Sequence, residues 1–197
     1  MRTVLTILAV CGLVALVLRP LLREPAVRAG TAMRMEVSEL VEAAELVVEG
    51  RVLASRAVET EDGLIETEYE LLVDRTFRGA PLGTRTLRLP GGLLEDGRGM
   101  VLAGVPRLRP GEDALLFLSA AGGRGVRMPV GLAQGRYRVL TRLDGSRIAV
   151  RDQADLGLVD PNSGHVLCAE GSHVRDYAEL VAEIQAAVGG LGPEAGR

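Results

Sequence analysis

Behind the dipeptide Asp62-Gly63 the chain alternates without a break. Ile65, Thr67, Tyr69, Leu71 and Val73 fall on one side, and Glu66, Glu68 and Glu70 on the other. A period of two places successive side chains on opposite faces of a strand, so this stretch predicts a half-buried strand. Asp-Gly is a strong signal for a tight hairpin turn. The preceding run, Leu46–Ala54, is then the hairpin partner, with Val48, Gly50 and Val52 on one side.

The rest of the chain is punctuated in the same manner. Arg78-Gly79-Ala80-Pro81-Leu82-Gly83 breaks it, and Thr84–Leu89 predicts a third strand. Pro90-Gly91-Gly92 opens a long loop that lasts to about Pro110. Ala114–Leu118 is apolar throughout and short enough for a buried strand. Gln134–Leu140 and Ser146–Arg151 predict a second hairpin around Asp144-Gly145, and residues 152–171 read as irregular. Ser38 is expected to cap a short N-terminal helix through Ala44. Ser172 is expected to cap a C-terminal amphipathic helix whose stripe is Tyr177, Leu180, Val181, Ile184 and Val188. Short strands, glycine-rich corners and a helix at each end predict a mainly β domain over 35–190, a small OB-like closed or nearly closed β-barrel, followed by a disordered tail at 191–197.

Two segments carry a resemblance. Ala44-Glu-Leu-Val-Val-Glu-Gly-Arg-Val52, followed by Thr67-Glu-Tyr-Glu-Leu-Leu-Val73 and Phe77-Arg-Gly79, resembles the opening half of netrin-type (tissue-inhibitor-like) OB-fold modules. Gly91-Gly92, Gly104-Val-Pro-Arg-Leu-Arg-Pro-Gly-Glu112, Leu115-Leu-Phe-Leu118 and Gly131-Leu-Ala-Gln-Gly135 are similar to an uncharacterised family of exported bacterial β-domain proteins. The resemblance spans roughly residues 37–151 and implies a fold. Netrin-type inhibitors place an N-terminal Cys in a metalloprotease site, and this chain has no Cys near residue 36, so inhibition is not implied.

The N-terminus supplies an address. Sixteen residues without a charge, 3–18, separate Arg2 from Arg19. A spanning helix takes roughly 20 apolar residues and a signal-peptide core about 7–15. Residues 1–18 are therefore expected to be a signal peptide or a transmembrane anchor, and 19–34 a juxtamembrane linker. Small residues suited to cleavage occur only near 29–32, far past the apolar core, which favours an anchor. Arg19, Arg23 and Arg28 outweigh Arg2, and the positive-inside rule taken alone would keep the domain in the cytoplasm. An apolar core ahead of a β-rich domain instead points to export to the cell envelope, or to secretion if the segment is cleaved.

Three side-chain groups are candidates for chemistry. His165, Cys168 and His173 are the two histidines and one of the two cysteines of the chain, gathered in nine residues with Glu170 between. Imidazole and thiolate are ligand types for zinc or copper. On a strand His165 and Cys168 would point to opposite faces, so a metal site requires a turn and a further ligand such as Glu170 or Asp160. The second group is basic. Residues 36–74 hold twelve acids against two arginines, whereas 75–151 hold fourteen arginines against five acids. Arg136 and Arg138 share one strand face, and Arg147 and Arg151 share a face of the next, which would make a stripe for a polyanion or an acidic partner. The ordinary alternative is that Glu66, Glu68 and Glu70 lie across from these arginines in the sheet. The third group is those three glutamates, which read as one solvated face.

Much is excluded. There is no Gly-x-Ser-x-Gly, no His-Glu-x-x-His and no phosphate-binding loop with lysine; all 23 basic residues are arginine. Cys168 lacks the Thr-Leu-x-Thr-Cys context of sortases. Aromatics make up 3% and tryptophan is absent, which removes the stacking platforms of single-strand nucleic-acid binders. The expected function is a non-enzymatic interaction module of the bacterial envelope without a resident cofactor. Its barrel face or its Pro90–Pro110 loop would contact another envelope or extracellular protein, with no nucleic-acid partner. The alternatives are a metal- or thiol-dependent activity centred on His165, Cys168 and His173, or polyanion binding through the arginine stripe.

Overall fold

The alternating stretch is one arm of a long hairpin. In the computed structural model, which describes residues 30–80, 83–154, 156–168 and 171–192, β1 (Gly30–Met33) leads into helix α1 (Val37–Ala43). The hairpin follows as β2 (Leu46–Glu59) and β3 (Ile65–Arg78), then β4 (Thr84–Pro90). A small pair, β5 (Gly92–Leu93) and β6 (Gly99–Met100), lies in the long loop. Next come β7 (Asp113–Leu118), a 3-10 turn at Leu132–Gly135, β8 (Arg136–Thr141) and β9 (Arg147–Asp152). The chain finishes through β10 (Leu156–Val159), β11 (Val166–Cys168), β12 (Ser172–Asp176) and helix α2 (Tyr177–Gly190). Seven strands form one antiparallel sheet in the order β12-β9-β8-β7-β2-β3-β4, and β1-β10-β11 form a second sheet. The domain is mainly β.

The long hairpin bends because its register slips. The β2–β3 pairing is irregular between Val47 and Val48, between Glu49 and Gly50, and between Val52 and Ala54. Such bulges bend and twist a strand. Gly50 is required at this bend, since a Cβ there would stand 2.3 Å from the Leu72 carbonyl oxygen. The bent sheet curls around one core made of Leu46, Val48, Val52, Tyr69, Leu71, Leu87, Leu89, Leu108, Ala114, Leu116 and Leu118. Its opposite face, on β2, β7, β8 and β9, carries Val47, Leu115, Phe117, Tyr137, Val139 and Ala149, and both helices pack there. Helix α1 contributes Val37, Leu40 and Val41, and α2 contributes Tyr177, Leu180, Val181 and Ile184. Both sets follow helical spacing. Each fully buried aliphatic side chain stabilises the fold by roughly 1.5–3 kcal/mol.

Helix ends are satisfied by residues other than those expected. The side chain of Glu39 accepts from the Glu36 backbone N–H at 2.7 Å, so α1 starts after Glu36 and not after Ser38. Arg78, the last residue of β3, donates to the carbonyl oxygens of Val41 and Glu42 at the C-terminus of α1. Those carbonyls have no partner within the helix. Ser172 begins a strand, and Asp176 caps α2 by accepting from the Glu179 N–H at 3.0 Å.

Several expectations are corrected. Among the described residues no strand closes the ladder into a barrel: β4 and β12 are its edges. Beyond β4 lies a single bridge, Arg88 to Val126, with Arg127 donating its N–H to the Arg88 carbonyl at 3.0 Å. A turn at Gly122–Gly125 then carries the chain away. Residues 152–171 are not simply irregular, since they hold β10 and β11. Gly30–Met33, expected in the linker, pairs in parallel with Leu156–Val159. The expected transmembrane helix is also corrected. Among the described residues no helix is long and apolar enough to cross a membrane, and residues 1–18, on which the membrane and signal readings rested, lie outside the described residues.

The buried Gln134 holds β1 in place. Its side-chain oxygen accepts from the Met35 N–H at 2.9 Å, and its amide donates to the carbonyls of Met33 and Gly131 at 2.8 and 3.1 Å.

Candidate functional site

The His/Cys group is divided between two sheets. His165 precedes β11 at the end of a turn built on Asp160, whose carboxylate accepts from the N–H groups of Asn162 and Ser163. The backbone of Cys168 lies opposite Gly157 in the three-stranded sheet. His173 is exposed on β12, an edge strand of the other sheet, opposite Arg151. Among the described residues no three His, Cys, Asp or Glu side chains are gathered as a metal site would need.

The four arginines do not form a stripe. Antiparallel partners point to one face, and the register pairs Arg138 with Val150 and Val139 with Ala149. Arg136 and Arg138 therefore lie on one face of the sheet, and Arg147 and Arg151 on the helix-covered face. Two of them are held by buried acids. The Arg136 guanidinium donates to both carboxylate oxygens of Glu112 at 2.8 Å, with both side chains nearly buried. Arg147 pairs with Glu49 and stacks over the Tyr177 ring at 3.9 Å. Arg151 lies over the Tyr137 ring at 5.3 Å.

Two of the three β3 glutamates are neutralised by different arginines, whereas Glu70 is exposed, as expected, and makes no ion pair among the described residues. Glu68 accepts from Arg56 at 3.0 Å and from Arg88 at 2.7 Å, cross-strand neighbours on β2 and β4. Arg56 first, and Arg88 with it, hold the Glu68 carboxyl below its usual range. Glu66 is not solvated as expected. It is buried and accepts from the Arg124 Nε–H at 3.1 Å. Arg51 in turn grips Asp113 through two bonds of 2.7 and 2.9 Å and lowers its pKa.

The polar node under the C-terminal helix was not visible in sequence. Glu49 is buried on β2, accepts from the Tyr177 hydroxyl at 2.5 Å and pairs with Arg147. Burial, and then the bond to the Glu49 carboxylate, raise the Tyr177 phenol pKa above its usual value. Glu49 and Tyr177 are buried while Arg147 reaches the surface, and the node clamps the helix to the sheet.

Two surface features bear on binding. The β5–β6 hairpin in the Pro90–Pro110 loop presents Leu93 and, just beyond it, Val101, which are 63% and 77% exposed. The second is a cleft of about 170 Å³ between β4 and the 121–127 turn. Its walls include Leu46, Val48, Leu71, Val73, Leu87 and Leu118, with Arg85 and Arg127 also lining it. The cleft lies beside the strand edge left by the unclosed ladder, and a local alternation pattern does not show which edge stays open.

No family model matches the chain, and no curated protein matches it. The functional reading therefore rests on these surfaces. The charged groups that the sequence marked for chemistry are largely engaged in joining elements. The Leu93/Val101 hairpin and the cleft face outward.

Proposed function

We propose that the chain is a non-enzymatic protein-interaction module on an OB-like curled sheet, and that its 90–110 loop makes the contact. The observation that carries this reading is the exposure of Leu93 and Val101 on neighbouring segments of one hairpin. Large apolar side chains held out together in a polar rim are characteristic of protein contact sites. Aspects of the fold support the OB-like description. Val126 bridges to Arg88 of β4 and Pro129 to Leu118 of β7, so residues 126–129 touch both strands at single points without extending along the Thr84–Thr86 edge. The two helices lie on the outer face of the curl.

The test is the size of the native assembly. In extracts of its host, the wild-type protein should migrate in a complex larger than the purified chain. The double variant L93E/V101E, folded by circular dichroism, should migrate as the purified chain does. Unchanged migration of the variant would defeat the assignment of this loop.

A further inference from the structure

Resting on the interaction reading above, we propose that the free edge of β4 receives an extended, acidic segment of another protein as an added strand. The segment runs along Thr84–Thr86 and places an apolar side chain in the cleft.

The backbone is arranged for this. The N–H of Gly91 reaches inward to the Ile65 carbonyl, and the Val73 N–H reaches the Gly83 carbonyl. The Arg88 carbonyl accepts from Arg127 on the outer side. The alternation of a strand then turns the N–H and C=O of Thr84 and Thr86 to that same outer edge. They have no backbone partner among the described residues. An exposed edge of this kind is a template for strand pairing.

The side chains define the guest. Arg85 is the cross-strand partner of Leu71, and Leu87 that of Tyr69, so both lie on the core-facing side of β4. A strand added here would alternate in the same way, aiming every second side chain at Leu46, Val48, Leu71, Val73, Leu87 and Leu118. Arg85 makes no ion pair among the described residues. It lies on the cleft face, two residues along the strand from Leu87. A guest with an apolar residue followed two positions away by Asp or Glu fits both. A second copy of β4 paired about Arg85 fits poorly, because it would set two guanidinium groups without ion-pair partners opposite each other, and like charges across strands destabilise pairing.

The test is selection of short random peptides displayed on phage against the full chain in mild detergent. Selected peptides should carry an apolar residue two positions from Asp or Glu, and their binding should slow hydrogen exchange at the Thr84 and Thr86 amides. Thr86→Pro removes an outward N–H without touching the β3 ladder, and Arg85→Glu reverses the charge at the cleft. Each should weaken binding by about tenfold or more, the loss expected from one or two hydrogen bonds or a charge-assisted contact. If Thr86→Pro fails to fold, Arg85→Glu decides. Selection of no peptide, or of peptides indifferent to both variants, overturns strand addition. So does a concentration-dependent dimer abolished by Thr86→Pro, which would make a second copy the occupant. The L93E/V101E measurement judges the interaction reading separately: a lost complex there with no effect at Thr84 and Thr86 overturns this inference alone.

Discussion

Tyr177, the first residue of the C-terminal helix, donates its hydroxyl to the carboxylate of Glu49 in the second strand at 2.5 Å, across 128 residues of chain. Arg147 completes the contact by pairing with Glu49 and covering the Tyr177 ring. The helix is thus joined to the middle of the sheet by a directional bond as well as by apolar packing.

Replacing Tyr177 with Phe keeps the ring and removes the donor. A buried carboxylate oxygen then loses its partner, which costs about 1–3 kcal/mol. Urea unfolding of Tyr177→Phe should show a lower midpoint at an unchanged slope, and a midpoint equal to wild type would mean that the bond contributes nothing.

The same bond makes stability depend on alkaline pH. The Tyr177 pKa is raised in the folded state, first by burial and then by Glu49. A raised folded pKa contributes stability that is complete below the unfolded phenol value of 10.0 and is lost as pH rises through the folded value. The gap in unfolding midpoint between wild type and Tyr177→Phe should therefore narrow above that value. A gap that widens there contradicts the assignment.

Gly50 marks the bend of the long hairpin. Its missing side chain leaves room for the Leu72 carbonyl, which a Cβ would approach to 2.3 Å. Gly50→Ala forces backbone apart and should destabilise by about 1–3 kcal/mol or more. A thermal melt with no loss would show that the bend accommodates a methyl group.

Arg136 was a candidate for contacting a polyanion, and the structure gives it a buried partner. Arg136→Ala leaves Glu112 unpaired inside the fold, and breaking such a pair costs about 3–5 kcal/mol. The double variant R136M/E112L should recover much of that loss, as measured by chemical denaturation. A single variant as stable as wild type would mean that the pair is solvated.

The parts of the fold legible in sequence were those with a local signature. Ile65 to Val73 alternate and line a core, with Val73 partly covered, and Asp62-Gly63 and Asp144-Gly145 turn their hairpins with Gly63 and Gly145 at positive φ. Strand β10 carried no such mark. Four residues, Leu156–Val159, form the central strand between Val166–Cys168 and Gly30–Met33, and the parallel partner so far away leaves no local trace. The arginine stripe failed for a related reason. Spacing shows which residues share a face of one strand, but only the register of β8 on β9 shows that Arg138 and Arg147 face opposite ways. Glu66 alternates as a surface residue should, and Arg124 from a distant turn comes over to bury it.

The most direct measurement is photocrosslinking in the native host, with a photoreactive phenylalanine at position 93 or 101 and a control at the fully exposed Leu143. A discrete adduct to one other polypeptide from positions 93 and 101, absent from position 143, is the result expected of an interaction module working through this loop. Adducts of equal yield at all three positions, or none at 93 and 101, would contradict it.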